Sequence, residues 1–168
     1  MRILIAEDDA ISRRMLETNL NKWGYEVVST SDGKAACQIL LGENSPQLAL
    51  LDWMMPEMDG VEVCRTIRGT PSIMPPYLIL LTSKSTKGSV VEGLNSGADD
   101  YVTKPFDRDE LNARLRVGRR ILELQAGLAQ RVLELEGALG QVKQLQGLLP
   151  ICCYCKKIRD DQNYWQQV

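Results

Sequence analysis

Residues 48–60 read LALLDWMMPEMDG. Leu48 to Leu51 form an unbroken apolar run, the pattern of a strand buried on both faces. Asp52 closes the run, and Pro56 and Gly60 break the chain soon after it. A carboxylate is thus expected at the carboxyl end of a buried strand, an expensive place unless the charge is used.

The segments on either side repeat the theme. RILIA reads as a strand, and Ile11, Met15, Leu20 and Trp23 recur near helical spacing until Gly24. YEVVST is a second strand, and GKAACQILLG a helix entered through the Ser31-Asp32-Gly33 turn. After the third strand come a helix (GVEVCRTIRG), a strand (PYLILLT), a helix (KGSVVEGLNSG), a short strand (DYVTK) and a long helix from near Asp107. Strands alternating with helices predict an α/β fold: a doubly wound, five-stranded parallel sheet covered on both faces. In such sheets ligands bind beyond the carboxyl ends of the strands.

Composition narrows the chemistry. The 168 residues carry a formal net charge of -2, so no nucleic-acid or membrane surface is expected. The absence of histidine removes His-based acid/base catalysis, His metal ligands and a phosphohistidine donor role. MRILIAEDD is too short and acidic for a signal peptide, and no apolar run approaches a membrane span. The expected location is cytoplasmic, so the five cysteines are expected as thiols or metal ligands.

Beyond Arg120 the composition shifts to Leu, Gln, Glu and Ala. Ile121, Leu128, Leu135, Val142 and Leu149 are spaced by seven, with Val132 and Leu139 complementary. This heptad seam predicts a dimeric coiled coil over residues 123–149, continuing the last helix. Arg131 and Glu136 would fall at flanking positions that pair between parallel strands. Gln125 and Gln146 interrupt the seam, and four glycines weaken the helix by about 1 kcal/mol each. The competing reading is a lone amphipathic helix folded back on its own domain.

Polar residues fall at matching strand ends: Glu7 and Asp8 after the first strand, Asp52 after the third, Thr82 after the fourth, and Lys104 after the fifth. In a parallel sheet these ends share one edge. Three converging acids repel one another unless a cation intervenes. A hard divalent ion with oxygen ligands, Mg2+, answers that need. A carboxylate beside Mg2+ and a lysine is suited to attack a phosphoryl group and form an aspartyl phosphate. Each residue alone is as readily explained as a strand or turn cap, but all five together are not.

The stretches ILIAEDDA, LLDWMMPEMDG, LILLTS and GADDYVTKPF resemble the receiver domain of two-component response regulators. The spacing agrees: 44 residues from Asp8 to Asp52, 30 to Thr82 and 22 to Lys104. The resemblance covers residues 1–122 and implies the flavodoxin-like strand order 2-1-3-4-5. It implies Asp52 as phosphoacceptor, Asp8 as direct Mg2+ ligand, Glu7 as its neighbour acting through water, and the Met54 backbone carbonyl as a further ligand. Asp9 is not expected on the metal. Thr82 and Tyr101 are the implied switch residues, and Lys104 the phosphate-binding lysine, its bond to Pro105 being cis. The implied partner is a histidine kinase or histidine phosphotransfer protein, docking near Ile11, Arg14 and Met15 and the loop after the fifth strand. Trp53, bulky beside the acceptor, is expected to slow water's access to the phosphate.

The tail, residues 150–168, holds Cys152 and Cys155 as C-x2-C, half of a tetrahedral zinc site. Three readings stand: a four-thiolate Zn2+ site shared across a parallel dimer, a zinc-binding module truncated here, or cysteines packed as small apolar groups. LLPICCYCKKIRDD resembles a cysteine-rich tail found behind bacterial receiver and sensor domains, which continues to a second cysteine segment; this favours truncation. No DNA-binding or cyclase motif follows residue 122. The function expected is a phosphorylation-controlled switch whose self-phosphorylation is not enzymatic turnover in the ordinary sense. The alternatives are a small Mg2+-dependent phosphohydrolase and a dimerisation module with a dead pocket. Such hydrolases carry an acid two residues after the nucleophile, where this chain has Met54.

Overall fold

The structure, a computed structural model, describes residues 1–72, 74–83, 87–146, 158–159 and 165–166. Two compact units divide the chain, Met1–Gln125 and Ala126–Val168.

The first unit holds β1 (Arg2–Ala6), α1 (Ala10–Lys22), β2 (Glu26–Thr30), α2 (Gly33–Leu40), β3 (Leu48–Asp52), α3 (Gly60–Gly69), β4 (Tyr77–Thr82), α4 (Lys87–Asn95) and β5 (Asp100–Thr103). The long α5 (Arg108–Gln146) begins there. The sheet is parallel throughout, in the order β2-β1-β3-β4-β5. Every residue of β3 and β4 is buried, whereas edge strand β2 is half-exposed, so the continuous apolar runs belong to the central strands.

Strand alternation sorts the core into two layers. Leu4, Ala49, Leu51 and Leu80 face α2 and α3, packing with Ala36, Cys37, Val61 and Cys64. Ile3, Ile5, Leu50 and Leu81 face the other way, toward Leu16 and Leu20 of α1 and Leu111, Leu115 and Leu122 of α5. Ile11 and Met15 do not join this core. They are 81% and 41% exposed, while Leu16 and Leu20 are fully buried. The helical spacing was real, but α1 carries apolar residues on both faces, and only one face meets the sheet.

Among the described residues four helices start on an aspartate: Asp107 accepts the Glu110 N–H at 3.1 Å ahead of α5, and three further aspartates cap α1, α2 and α3. Asp9 accepts the Ser12 N–H at 2.8 Å, Asp32 the Ala35 N–H at 2.7 Å and Asp59 the Glu62 N–H at 2.7 Å. Asp59 and Glu62 form a reciprocal capping box. These caps set the helix starts just past the strands' carboxyl ends.

In the second unit the described residues include helix through Gln146 and an antiparallel pair, β6 (Ile158–Arg159) and β7 (Trp165–Gln166). Leu128, Val132, Leu135 and Leu139 are each at least 46% exposed. Leu149 and the cysteines Cys152, Cys153 and Cys155 lie outside the described residues. Among the described residues no helix is long and apolar enough to cross a membrane.

Candidate functional site

The carboxyl edge of the sheet gathers the expected residues. Asp52 is the last residue of β3 and pairs with Leu81 of β4. The Trp53 N–H donates to the Leu81 carbonyl at 2.8 Å, carrying the ladder one residue past the acid. Thr82 ends β4 opposite Thr103, and the Lys104 N–H donates to the Thr82 carbonyl at 2.7 Å. The Glu7 N–H donates to the Thr30 carbonyl at 3.1 Å, just beyond β1. The Lys104–Pro105 bond is cis.

These backbones deliver their side chains into one cleft of about 310 Å3. Glu7, Asp52 and Thr82 are all buried, and Asp8 stands exposed at the rim. Carboxylate oxygens of Glu7, Asp8 and Asp52 lie within 4.8 Å of one another. Lys104 Nζ donates to Glu7 Oε2 at 2.7 Å and lies 3.0 Å from Asp52 Oδ2. Burial pushes the Glu7 carboxyl above its usual range, and repulsion from Asp52 and Asp8 adds to this while Lys104 opposes it. Desolvation works against the Lys104 ammonium, but its bonds to Glu7 and Asp52 outweigh that and raise its pKa.

The donor set fits Mg2+. It is all oxygen, it carries more negative charge than Lys104 neutralises, and Asp8 leaves it open to water. Met54 lines the same cleft, with its side chain 62% exposed. Asp9 is committed elsewhere: its carboxylate caps α1, and its bonds to Ser12 hold its pKa below the usual range.

The flanking residues are also placed. Trp53 is buried; a Cβ built on Gly93 of α4 would meet the indole at 3.0 Å, so the ring packs beneath that helix as well as lining the cleft. Tyr101 is half-buried on β5, with the Arg114 guanidinium 5.9 Å from its ring centroid. Arg114 is itself held by Asp100 at 2.8 Å and Glu110 at 2.8 Å. Arg13, which no sequence motif singles out, also reaches the backbone beside the cleft. Arg13 Nη1 donates to the backbone carbonyls of Glu7 at 2.6 Å and Asp8 at 3.2 Å. Its only sequence signal is a cation in the first turn of a helix, where cations are disfavoured.

Comparison with known proteins agrees with this geometry. The model of the response regulator receiver domain matches residues 3–116. Response regulator MprA of Mycobacterium sp. (strain KMS) is 42% identical over 116 residues, 69% of this chain and 49% of that protein. The chain spans about half the length of the curated relatives it matches. Among solved structures, the receiver domain of the Francisella response regulator 1452 superimposes with a TM-score of 0.63 at 33% identity, covering 69% of this chain and 93% of that one. The receiver domain of sensor histidine kinase PA1611 from Pseudomonas aeruginosa PAO1, which has a magnesium ion coordinated in its active site cleft, matches with a TM-score of 0.61 at 30% identity, covering 75% and 97%. With its sheet order, its acidic cleft and its match over residues 3–116, the chain belongs to the response regulator receiver family of two-component systems.

Proposed function

We propose that the chain is a phospho-accepting switch in which Asp52 takes a phosphoryl group from a phosphohistidine on a histidine kinase or phosphotransfer protein. The observation that carries this reading is Asp52 held at a strand end, 3.0 Å from Lys104 Nζ and clustered with Glu7 and Asp8. An Asp52 carboxylate oxygen attacks phosphorus, a P–O bond forms, and the P–N bond breaks with its electron pair returning to the imidazole. Bound Mg2+ would neutralise charge on the transferring oxygens, with Glu7, Asp8, Asp52 and the Met54 carbonyl as its holders. Lys104 exchanges one carboxylate contact for a phosphoryl oxygen. Thr82 donates its hydroxyl to another, and Tyr101 follows Thr82 inward.

The donor surface proposed is α1. Exposed Ile11 and Met15 border a cleft of about 460 Å3 rimmed by Arg14, Lys22 and Arg108. That combination suits an amphipathic partner helix with acidic residues. The output proposed is a change on the α4, β5 and α5 face, passed to a parallel coiled-coil dimer. The exposed Leu128, Val132, Leu135 and Leu139 support the pairing, because a single chain leaves them in water. The phosphohydrolase alternative is disfavoured by Met54, which supplies no acid where that chemistry needs one.

Sedimentation of the full chain with and without a phosphodonor and Mg2+ tests the output. A dimer whose association constant shifts on phosphorylation, and which Leu135→Asp breaks, supports the reading. A monomer in both states, up to the highest soluble concentration, sinks the coiled-coil output.

A further inference from the structure

We infer that Arg13 is a positioning residue for the Mg2+ site: it clamps the backbone that carries Glu7 and Asp8 and touches neither carboxylate. The inference rests on the reading of the acidic cleft as a Mg2+ site and goes beyond it, since Arg13 supplies neither a ligand nor a phosphate contact.

The β1 ladder gives out at this point. The last β1–β3 pair is Ala6 with Leu51, and the Glu7 N–H is still held by Thr30. The Glu7 and Asp8 carbonyls lie beyond the β1 ladder, between the strand and the cap of α1. The Glu7 carbonyl is part-buried, where loss of its partner is costly, whereas the Asp8 carbonyl lies at the exposed rim. Arg13, one turn into α1, folds back and satisfies both from one guanidinium nitrogen, at 2.6 Å and 3.2 Å. Glu7 is then fixed at three points: its N–H by Thr30, its carbonyl by Arg13 and its carboxylate by Lys104. Asp8, whose carboxylate stands at the open rim, has Arg13 on its carbonyl and the capped helix start after it.

The arrangement works against two electrostatic preferences. A cation in the first turn opposes the helix macrodipole, and a guanidinium beside a divalent-cation site repels the ion. A residue kept for its charge would be an acid here. What Arg13 provides is geometry: two bonds from one rigid planar group. Removing it therefore pits two effects of opposite sign against each other. Loss of repulsion tightens Mg2+ binding, and loss of positioning weakens it. Groups that orient metal ligands from behind are commonly worth about ten- to a hundredfold in affinity, more than one screened surface charge contributes, so weakening should win.

The test is calorimetric titration of the full chain with Mg2+ alone, comparing wild type, Arg13→Ala and Arg13→Lys. It is paired with amide hydrogen exchange at Glu7 to Asp9 in Mg2+-free protein. The expected result is about tenfold or greater weakening in Arg13→Ala and an intermediate loss in Arg13→Lys, which keeps the charge but replaces the rigid planar guanidinium with a shorter reach and a freely rotating ammonium. Faster exchange at Asp8 and Asp9 should appear before any metal is added. Added salt should not close the gap. Arg13→Ala binding as tightly as wild type, or tighter, overturns the inference while leaving the Mg2+ site intact. If Arg13→Ala fails to fold, Arg13→Lys decides: wild-type affinity and exchange in that variant overturn the clamp. A wild-type chain that takes up no Mg2+ refutes the reading of the cleft and this inference with it.

Discussion

Gly60→Ala should displace Asp52, the proposed phosphoacceptor, through its backbone. Gly60 is the first residue of α3, and its N–H donates to the Trp53 carbonyl at 3.0 Å, closing the loop that follows Asp52. A Cβ there would lie 2.3 Å from the Asp52 carbonyl oxygen and 3.0 Å from Leu80 Cδ2. An ordinary carbon–oxygen contact is roughly 3.3 Å, so α3 and the end of β3 must part by about 1 Å. Neither yields easily, because β3 is central in the sheet and the start of α3 is fixed by its capping box. Overpacking of this kind costs about 1–3 kcal/mol, which for a domain of this size lowers Tm by about 4–11 °C. A misplacement of about 1 Å at a reacting group can slow reaction by about a hundredfold, so phosphorylation should fall more than stability does. Gly69 provides the control, since it ends the same helix and a Cβ there meets nothing within 4 Å. Gly69→Ala should stabilise by about 0.5–1 kcal/mol and leave phosphorylation unchanged. Thermal unfolding by circular dichroism and the initial rate of phosphate uptake read both effects. Equal Tm and rate in the two variants would refute the reasoning.

Other outcomes follow from single residues. Glu57 sits at φ 67° in the turn closed by the Met58 N–H on the Pro56 carbonyl. Glu57→Gly should relieve about 1–2 kcal/mol of strain against about 0.5–1 kcal/mol of added chain entropy, a small rise in denaturation midpoint; a fall would show the turn is unstrained. Trp53→Ala should remove a buried ring from beneath α4, destabilise by about 3–5 kcal/mol and speed loss of phosphate; an unchanged dephosphorylation rate would clear the indole of any shielding role. The raised Glu7 carboxyl means the folded state holds its proton to higher pH than the unfolded chain does. Glu7's contribution to stability therefore falls as pH rises between its unfolded and folded values, and Mg2+ affinity climbs through the same window as the carboxylate forms. Mg2+ titrations over that window should show this rise in wild type and lose most of it in Glu7→Gln; a flat wild-type profile would contradict the assigned cause.

Much of this site is legible in sequence because a parallel sheet turns distant positions into neighbours. Once LALLD and YLILLT are read as central strands, Asp52 and Thr82 must reach the same edge, and Lys104 follows one residue after β5. Contacts made by backbone are not legible in that way. Arg13 reads as part of a solvated helix face, and only the structure shows its guanidinium on the Glu7 and Asp8 carbonyls. Gly60 reads as a turn residue, whereas its lack of a side chain is what lets α3 approach Asp52. Ile11 and Met15 illustrate a different ambiguity: spacing identified the helix, but apolar residues on two faces do not say which face the sheet covers.

The most direct test of the central claim is the intact mass of the chain after incubation with acetyl phosphate, with and without Mg2+, beside Asp52→Ala. The account predicts a gain of one phosphoryl group per chain that requires Mg2+ and is absent from the variant. No gain in the wild type, or an equal gain in Asp52→Ala, would contradict it.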